Sequence, residues 1–517
     1  MNEGTEEPTP ARSAPDAPSP TASQPTPSAD RASLLTSGQR TTATVGVLLA
    51  LVLSSLDQSV VGAALPTIAR DLDGLSLYTW VGTSYMVAGA VLIPIGGKLG
   101  DMFGRKPFLL CGVVGFMVAS WLCGLSQTMP ELIALRGLQG LFGGLLLSNC
   151  LTTLSEIYPP ESRGKVQGLA GSLFGLSSVL GPPLGGWITD GLDWRWIFYI
   201  NVPVGLVALL LVASALPVIR TDAVWRDIDF LGALVLAAGV IPLLLGLSWA
   251  GEGHGWDEPL VWGPLLTGVV LLAVFGRVES AAAHPIVPFA LFRNRTFTLM
   301  ITTAFLSAFA MMGSVYLVPL LYQGVLGSSA VSSGNLLAPM MLAIVVTSML
   351  AGRVVHQVPR YRYLFAVPLG VAALALVPLT LVEPDTGVWL PVLSIVLVGA
   401  GLGTVLPLTT LVMQSALPVE QMGVGTSQIQ FWRMLGGPVA LAVLGAVMSA
   451  RLSGNPAEGV RPEALADALH PVFWIAAVVM ALAVPASLAL REVPLRSAPQ
   501  PSKPSGADAS RSADNST

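Results

Sequence analysis

The sequence predicts an all-α polytopic membrane protein of fourteen transmembrane helices, and three observations lead there. Of 517 residues, 53% are hydrophobic and only 11% are charged, against roughly a quarter charged in ordinary soluble domains. Of the 26 basic and 30 acidic residues, 41 lie between residues 41 and 490, too few to cover a soluble surface of that size. The apolar residues fall into runs of about 20, the length of helix that crosses a bilayer. The 54 glycines and 40 prolines sit inside these runs, where membrane helices tolerate them. This composition excludes soluble enzymes, nucleic-acid binders and disulfide scaffolds, and a net charge of −4 implies no acidic or basic partner.

Taken in order, the chain opens on a tail, 1–42, rich in Pro, Ser, Thr and Ala. It has nothing to bury, so it is expected to be disordered, with no signal peptide. Spans follow near 43–66, 78–97, 107–127, 131–153, 167–189 and 196–219, which make a first six-helix unit, 43–219. Two more, near 228–250 and 260–277, lie in the segment 220–295. Six others, near 296–322, 333–352, 363–382, 388–412, 424–450 and 471–490, make a second unit, 296–490, before a polar tail, 491–517. With a cytoplasmic N-terminus, the inside segments hold 20 basic residues and the outside loops four (Arg70, Arg195, Arg451 and Arg461). Positive residues stay inside, so both termini are expected in the cytoplasm of a bacterial cell, with the chain in the plasma membrane. Cys111, Cys123 and Cys150 fall within spans, show no metal spacing, and read as small apolar residues.

The two six-span units repeat. Adding 255 to the residue number carries Gly97, Lys98 and Arg105 onto Gly352, Arg353 and Arg360. It also carries Gly168, Gly181 and Pro183 onto Gly423, Gly436 and Pro438. Spans seven and eight are then an insertion between repeated halves, an organisation common in secondary transporters.

Five motifs carry a family resemblance. The loop after span two reads Gly97-Lys-Leu-Gly-Asp101-Met-Phe-Gly104-Arg105-Lys106-Pro107, and it resembles the signature loop of the major facilitator superfamily. Its glycines let helix ends approach and turn, and Asp101 is placed to meet a basic residue and a helix N-terminus. A merely positive inside loop would explain Arg105 and Lys106 but not the glycine spacing. Span five carries Gly181-Pro182-Pro183-Leu184-Gly185-Gly186, similar to the motif of the superfamily's antiporters; plain close packing is the competing explanation. Span four carries Arg136-Gly137-Leu138-Gln139-Gly140, and span one Leu56-Asp57-Gln58-Ser59-Val60-Val61, which resembles the first-span motif of drug:proton antiporters. The stretch Asp193-Trp194-Arg195-Trp196 to Asn201-Val202-Pro203 is similar to the hallmark of their fourteen-span branch. In the second half His356 replaces the aspartate and Pro359 the glycine, so an equivalent second gate is not expected there. The resemblance implies a major facilitator fold of two six-helix repeats plus two inserted central helices, and export rather than uptake.

The buried charges are the candidate working parts. Asp57 lies about 13 Å and Arg136 about 8 Å below the same surface by helical rise, so the two can pair if their helices are neighbours. Ionisable residues inside a membrane are functional by default, which makes Asp57, Arg136 and Glu156 the expected proton-coupling residues; a static salt bridge is the competing explanation. Gly97, Asp101, Gly104 and Arg105 form the expected cytoplasmic gate. Arg433, near the middle of span thirteen, is expected either to bind an anionic substrate, to face Asp57 across the cavity, or simply to pack. Gln58, Tyr85, Gln139, Asn149, Met312, Tyr316, Gln428 and Trp432 are expected to line the cavity with it, and Asp57 offers an acidic partner for a cationic substrate.

No Gly-x4-Gly-Lys-Ser/Thr loop, nucleophile elbow or paired metal ligands occur, so neither enzyme activity nor a cofactor or metal is expected. The expected partners are a small-molecule substrate, protons and membrane lipids, with no nucleic acid and a monomeric chain. The function read from the sequence is proton-coupled export of lipophilic drugs by alternating access; export of one endogenous metabolite and proton-coupled uptake are the alternatives.

Overall fold

The computed structural model describes residues 35–74, 77–218, 224, 227–251, 254–326, 330–358, 360–384, 386–387, 389–452, 462–490 and 492. Among them fourteen long helices follow one another: α1 (Ser37–Asp71), α2 (Trp80–Phe103), α3 (Arg105–Leu125), α4 (Met129–Glu156), α5 (Pro160–Gly191), α6 (Trp196–Ala215) and α7 (Phe230–Gly251). Then come α8 (Pro259–Ala281), α9 (Arg295–Leu320), α10 (Ala330–Val354), α11 (Arg362–Leu376), α12 (Trp389–Ala416), α13 (Met422–Arg451) and α14 (Pro462–Leu488). Strands are absent among the described residues.

Thirteen of these helices are long and apolar enough to cross a membrane. The exception is α5, which at 32 residues is long enough, but whose glycines, serines and prolines dilute its apolar character. Those same small residues let it pack tightly on α1 and α10. The apolar side chains of Leu234, Leu266 and Val269 are more than half exposed, as they should be when the solvent is hydrocarbon.

The packing has an internal symmetry. In the first six helices α1 lies against α5 and α6, α2 against α4, and α3 against α4 and α6. Eight helices later the same pairs recur: α9 with α13 and α14, α10 with α12, and α11 with α12 and α14. Two main contacts join the sets, α2 with α13 and α5 with α10, flanked by α4 with α13 and α5 with α12, and the same shift exchanges the members of each pair. The inserted α7 and α8 pack on each other, and α7 rests on α2 and α13 through Val91, Leu236, Leu244, Phe431 and Leu435.

Three boundaries differ from the sequence expectation. Helix α1 begins at Ser37, inside the supposed disordered tail 1–42, because Thr36 and Gln39 form a capping box that satisfies the helix's first donors. Helix α14 starts at Pro462 rather than 471, running through Pro471. In the C-terminal tail Glu492 meets Arg362 at 3.5 Å. The remainder of both tails, and Pro359 and Arg461, lie outside the described residues.

Candidate functional site

A buried ion pair joins α1 to α4. Arg136 Nη1 donates to Asp57 Oδ2 at 2.5 Å, while Gln139 Nε2 and Asn201 Nδ2 donate to Oδ1, each at 2.9 Å. Both charged side chains are about 98% buried or more. Gln139 is one turn along α4 from Arg136 and also accepts from its guanidinium at 2.7 Å. The Tyr85 ring lies 4.4 Å from the Arg136 guanidinium carbon, and its hydroxyl donates to Ser54 O. Asn201 donates in turn to Ser120, so α1, α2, α3, α4 and α6 all contribute. Sequence reasoning placed Asn201 in a motif but missed its tie to Asp57, although an Asn inside an apolar span is itself a signal, and it missed Ser120. Full satisfaction of both carboxylate oxygens lets the pair persist in a low dielectric; removing one partner of such a pair typically costs about 3–5 kcal/mol.

Helix α5 is held against α1 beside this pair. A Cβ at Gly185 would fall 2.6 Å from Val60 O, and one at Gly181 would collide with Ser59. Gly186 instead faces open space, and Pro182 and Pro183 are exposed, so within this motif only Gly181 and Gly185 serve the α1 contact.

A second polar cluster ties the two bundles together at the α2–α3 turn. Gly104 has φ 85°, a conformation that favours glycine, and it lets α3 start directly after α2. Asp101, buried in the last turn of α2, accepts the backbone N–H groups of Gly423 at 3.0 Å and Val424 at 2.8 Å. These are orphan donors in the first turn of α13, which has no side-chain cap of its own, so a carboxylate from the other bundle caps that helix. Arg105 pairs with Asp101 and donates to Glu156 Oε1 at 3.1 Å and Gly97 O at 3.2 Å. A Cβ at Gly97 would stand 2.6 Å from Gly423 O; only hydrogen fits at that crossing. Nearby, Ser155 donates to Gln414 at 2.5 Å, and Gln414 to Thr426 at 3.0 Å. The symmetry-related crossing of α5 and α10 brings Gly164 against Gly352, with Ser348 donating to Gly168 O at 3.1 Å. His356, in the position of Asp101, lies beside Gly164.

This cluster reassigns Glu156. It belongs with Arg105, about 30 Å along α4 from Arg136 by helical rise, and not with Asp57. Asn149 faces the same end, donating to Gly96 O at 3.1 Å.

Between the bundles lies a cavity of about 220 Å³ lined by α1, α2, α4, α5, α9, α10, α12 and α13. Five methionines, Met86, Met311, Met312, Met341 and Met434, form much of its wall. Of the expected lining residues, Gln58, Met312 and Arg433 are present, and Tyr85 borders a smaller adjoining space of about 40 Å³ together with Gln58. The others are elsewhere. Gln139 is consumed by the ion pair, Asn149 by α2, and Gln428 is buried within α13. Trp432 stacks edge-on against Phe305 and Phe431, and Tyr316, 56% exposed, is not among the cavity's lining residues. Span membership did not reveal which face each residue takes. Arg433 donates to Gln430 and Thr409, not to Asp57, whose cation is Arg136. Asp57 is also sealed from the cavity and offers no acid to a cationic substrate. No residue of α7 or α8 lines the space.

The sequence pattern of the Major Facilitator Superfamily matches residues 47–441. The chain is 38% identical over 417 residues to the multidrug transporter protein MdtP of Bacillus subtilis, covering 81% of this chain and 76% of the relative. It is 36% identical over 406 residues to multidrug resistance protein 3 of the same organism, covering 78% and 79%. In structure it is similar to the human organic anion transporter MFSD10, with a TM-score of 0.61 at 17% identity, over 87% of this chain and 99% of that one; at that identity the likeness concerns the fold.

Proposed function

The chain belongs to the major facilitator superfamily, and from that premise we propose that it exports lipophilic small molecules across the bacterial cytoplasmic membrane, driven by protons. The observation that carries this reading is the methionine-walled cavity between two equivalent bundles, with the bundles pinned together at the Asp101–Arg105–Glu156 end. Methionine side chains are flexible and polarizable and suit ligands of varied shape. The names of the Bacillus subtilis relatives support drug export as the direction.

In this mechanism the units 43–219 and 296–490 rock about the cavity, and 220–295 is inserted between them. The pinned end is cytoplasmic, as are both termini, and its opening loads substrate. Separating Asp57 from Arg136 would leave two uncompensated charges, and a proton on the carboxylate removes one of them. Asp57 adjoins Gln58 of the cavity wall, and Ser59 and Val60 bear on Gly181 and Gly185 of α5. A change at the ion pair therefore reaches both the substrate and the helix that crosses to α10. The test is uphill export from proteoliposomes under an imposed pH gradient. Asp57→Asn should abolish gradient-driven accumulation while the protein stays folded and still binds substrate; undiminished accumulation would remove Asp57 from the coupling role.

A further inference from the structure

Arg433 is the one charged residue among those that line the central cavity. Its Nη1 donates to Gln430 at 2.9 Å and its Nη2 to Thr409 at 3.1 Å. Nε has no acceptor among the described residues, and no carboxylate there lies within ion-pair distance. The contrast with the other buried arginines is direct: Arg105 meets two acids and Arg136 meets one. A guanidinium has five N–H donors, so neutral partners take two and leave the charge itself uncompensated. An unpaired cation inside a membrane protein is expensive and marks a substrate or ion pathway more often than a packing device.

The surroundings add no counter-charge. Asp57, on α1, is committed to Arg136. The remaining polar lining is Gln58, Gln167, Ser178, Thr410 and Gln430, all neutral, and the rest is apolar. The cavity is thus an apolar chamber with a positive pole. We propose that Arg433 is an anion anchor, so that the transported class is lipophilic organic acids whose carboxylate docks on this guanidinium while the apolar body rests on the methionines. The planar fork of arginine matches a carboxylate, whereas a lipophilic cation meets repulsion without compensation. This assignment rests on the export reading above but makes a separate claim, about charge selectivity.

Binding is measured with full-length protein in lipid nanodiscs, against empty nanodiscs, using pyrenebutyrate, its primary amide and the corresponding trimethylammonium. Wild type should bind the acid about tenfold tighter than the amide, as a charge-assisted hydrogen bond provides, and the cation most weakly. Arg433→Gln should bring the acid-to-amide ratio close to one, and Arg433→Lys should keep part of it, because charge remains while the fork is lost. A wild-type ratio near one overturns the anchor. So does an Arg433→Gln variant that weakens all three probes by the same factor, since that is the signature of a staple between α12 and α13. The same probes in proteoliposomes separate the two claims. Absence of export with acid-selective binding intact would overturn the export reading alone, and export with equal affinities would overturn the anchor alone.

Discussion

Asp101 is the residue whose removal has the most calculable consequence. Its carboxylate accepts two N–H groups of α13 while its own helix, α2, belongs to the other bundle. Both bonds must break when this end of the protein opens, and neither contributes once it is open. Asp101→Asn keeps one acceptor oxygen and loses the charge that faces Arg105 and the α13 N-terminus. Hydrogen bonds to charged groups are worth about 1.5–3 kcal/mol each, so losing one bond and the charge assistance of the other should weaken closure by about 3 kcal/mol. That is roughly a hundredfold shift in the ratio of closed to open. Cysteines at the exposed positions Lys165 and Arg353, flanking the α5–α10 crossing, would report it through cross-linking in a background lacking Cys111, Cys123 and Cys150. Cross-linking should fall steeply in Asp101→Asn, and turnover should drop far more than equilibrium substrate affinity. Unchanged cross-linking, or lost affinity with normal turnover at saturating substrate, would refute the reasoning and make Asp101 a binding residue.

Two further outcomes test the packing. Gly97→Val places methyls where Gly423 O and Ser427 stand, an overpacking that costs about 1–3 kcal/mol in the closed arrangement only; transport should slow at least several-fold, while Gly186→Val, which enters open space, should transport normally. Cysteine scanning across α7 and α8 should give no position protected by substrate, because neither helix lines the cavity; protection there would place the inserted pair in the pathway.

Fourteen helices, the repeat at an offset of 255 and the grouping of Gly97, Asp101 and Arg105 were legible in the sequence, although the expected loop is helical through Phe103 and breaks only at Gly104. Each depends on local information: apolar length, glycine spacing, a conserved register between two halves of one chain. That Asp57 and Arg136 could meet was legible for the same reason, since helical rise converts residue number into distance, and the pair forms. The face of each helix was not. In a membrane both the lipid side and the packed side of a span are apolar, so the polar–apolar contrast that orients a soluble helix is missing. Gln139 and Trp432 read equally well as cavity residues until the neighbours of α4 and α13 were known, and Glu156 read as either a residue of the inner mouth or a second proton site until Arg105 was seen to reach it across 51 residues of chain. Tertiary structure alone determined that Asp57 is closed to the cavity while Arg433 is open to it, because a buried charge is defined by the partners that other helices bring. It is that difference in partners, two neutral groups for Arg433 against a carboxylate for Arg136, that sets the sign of charge the cavity presents.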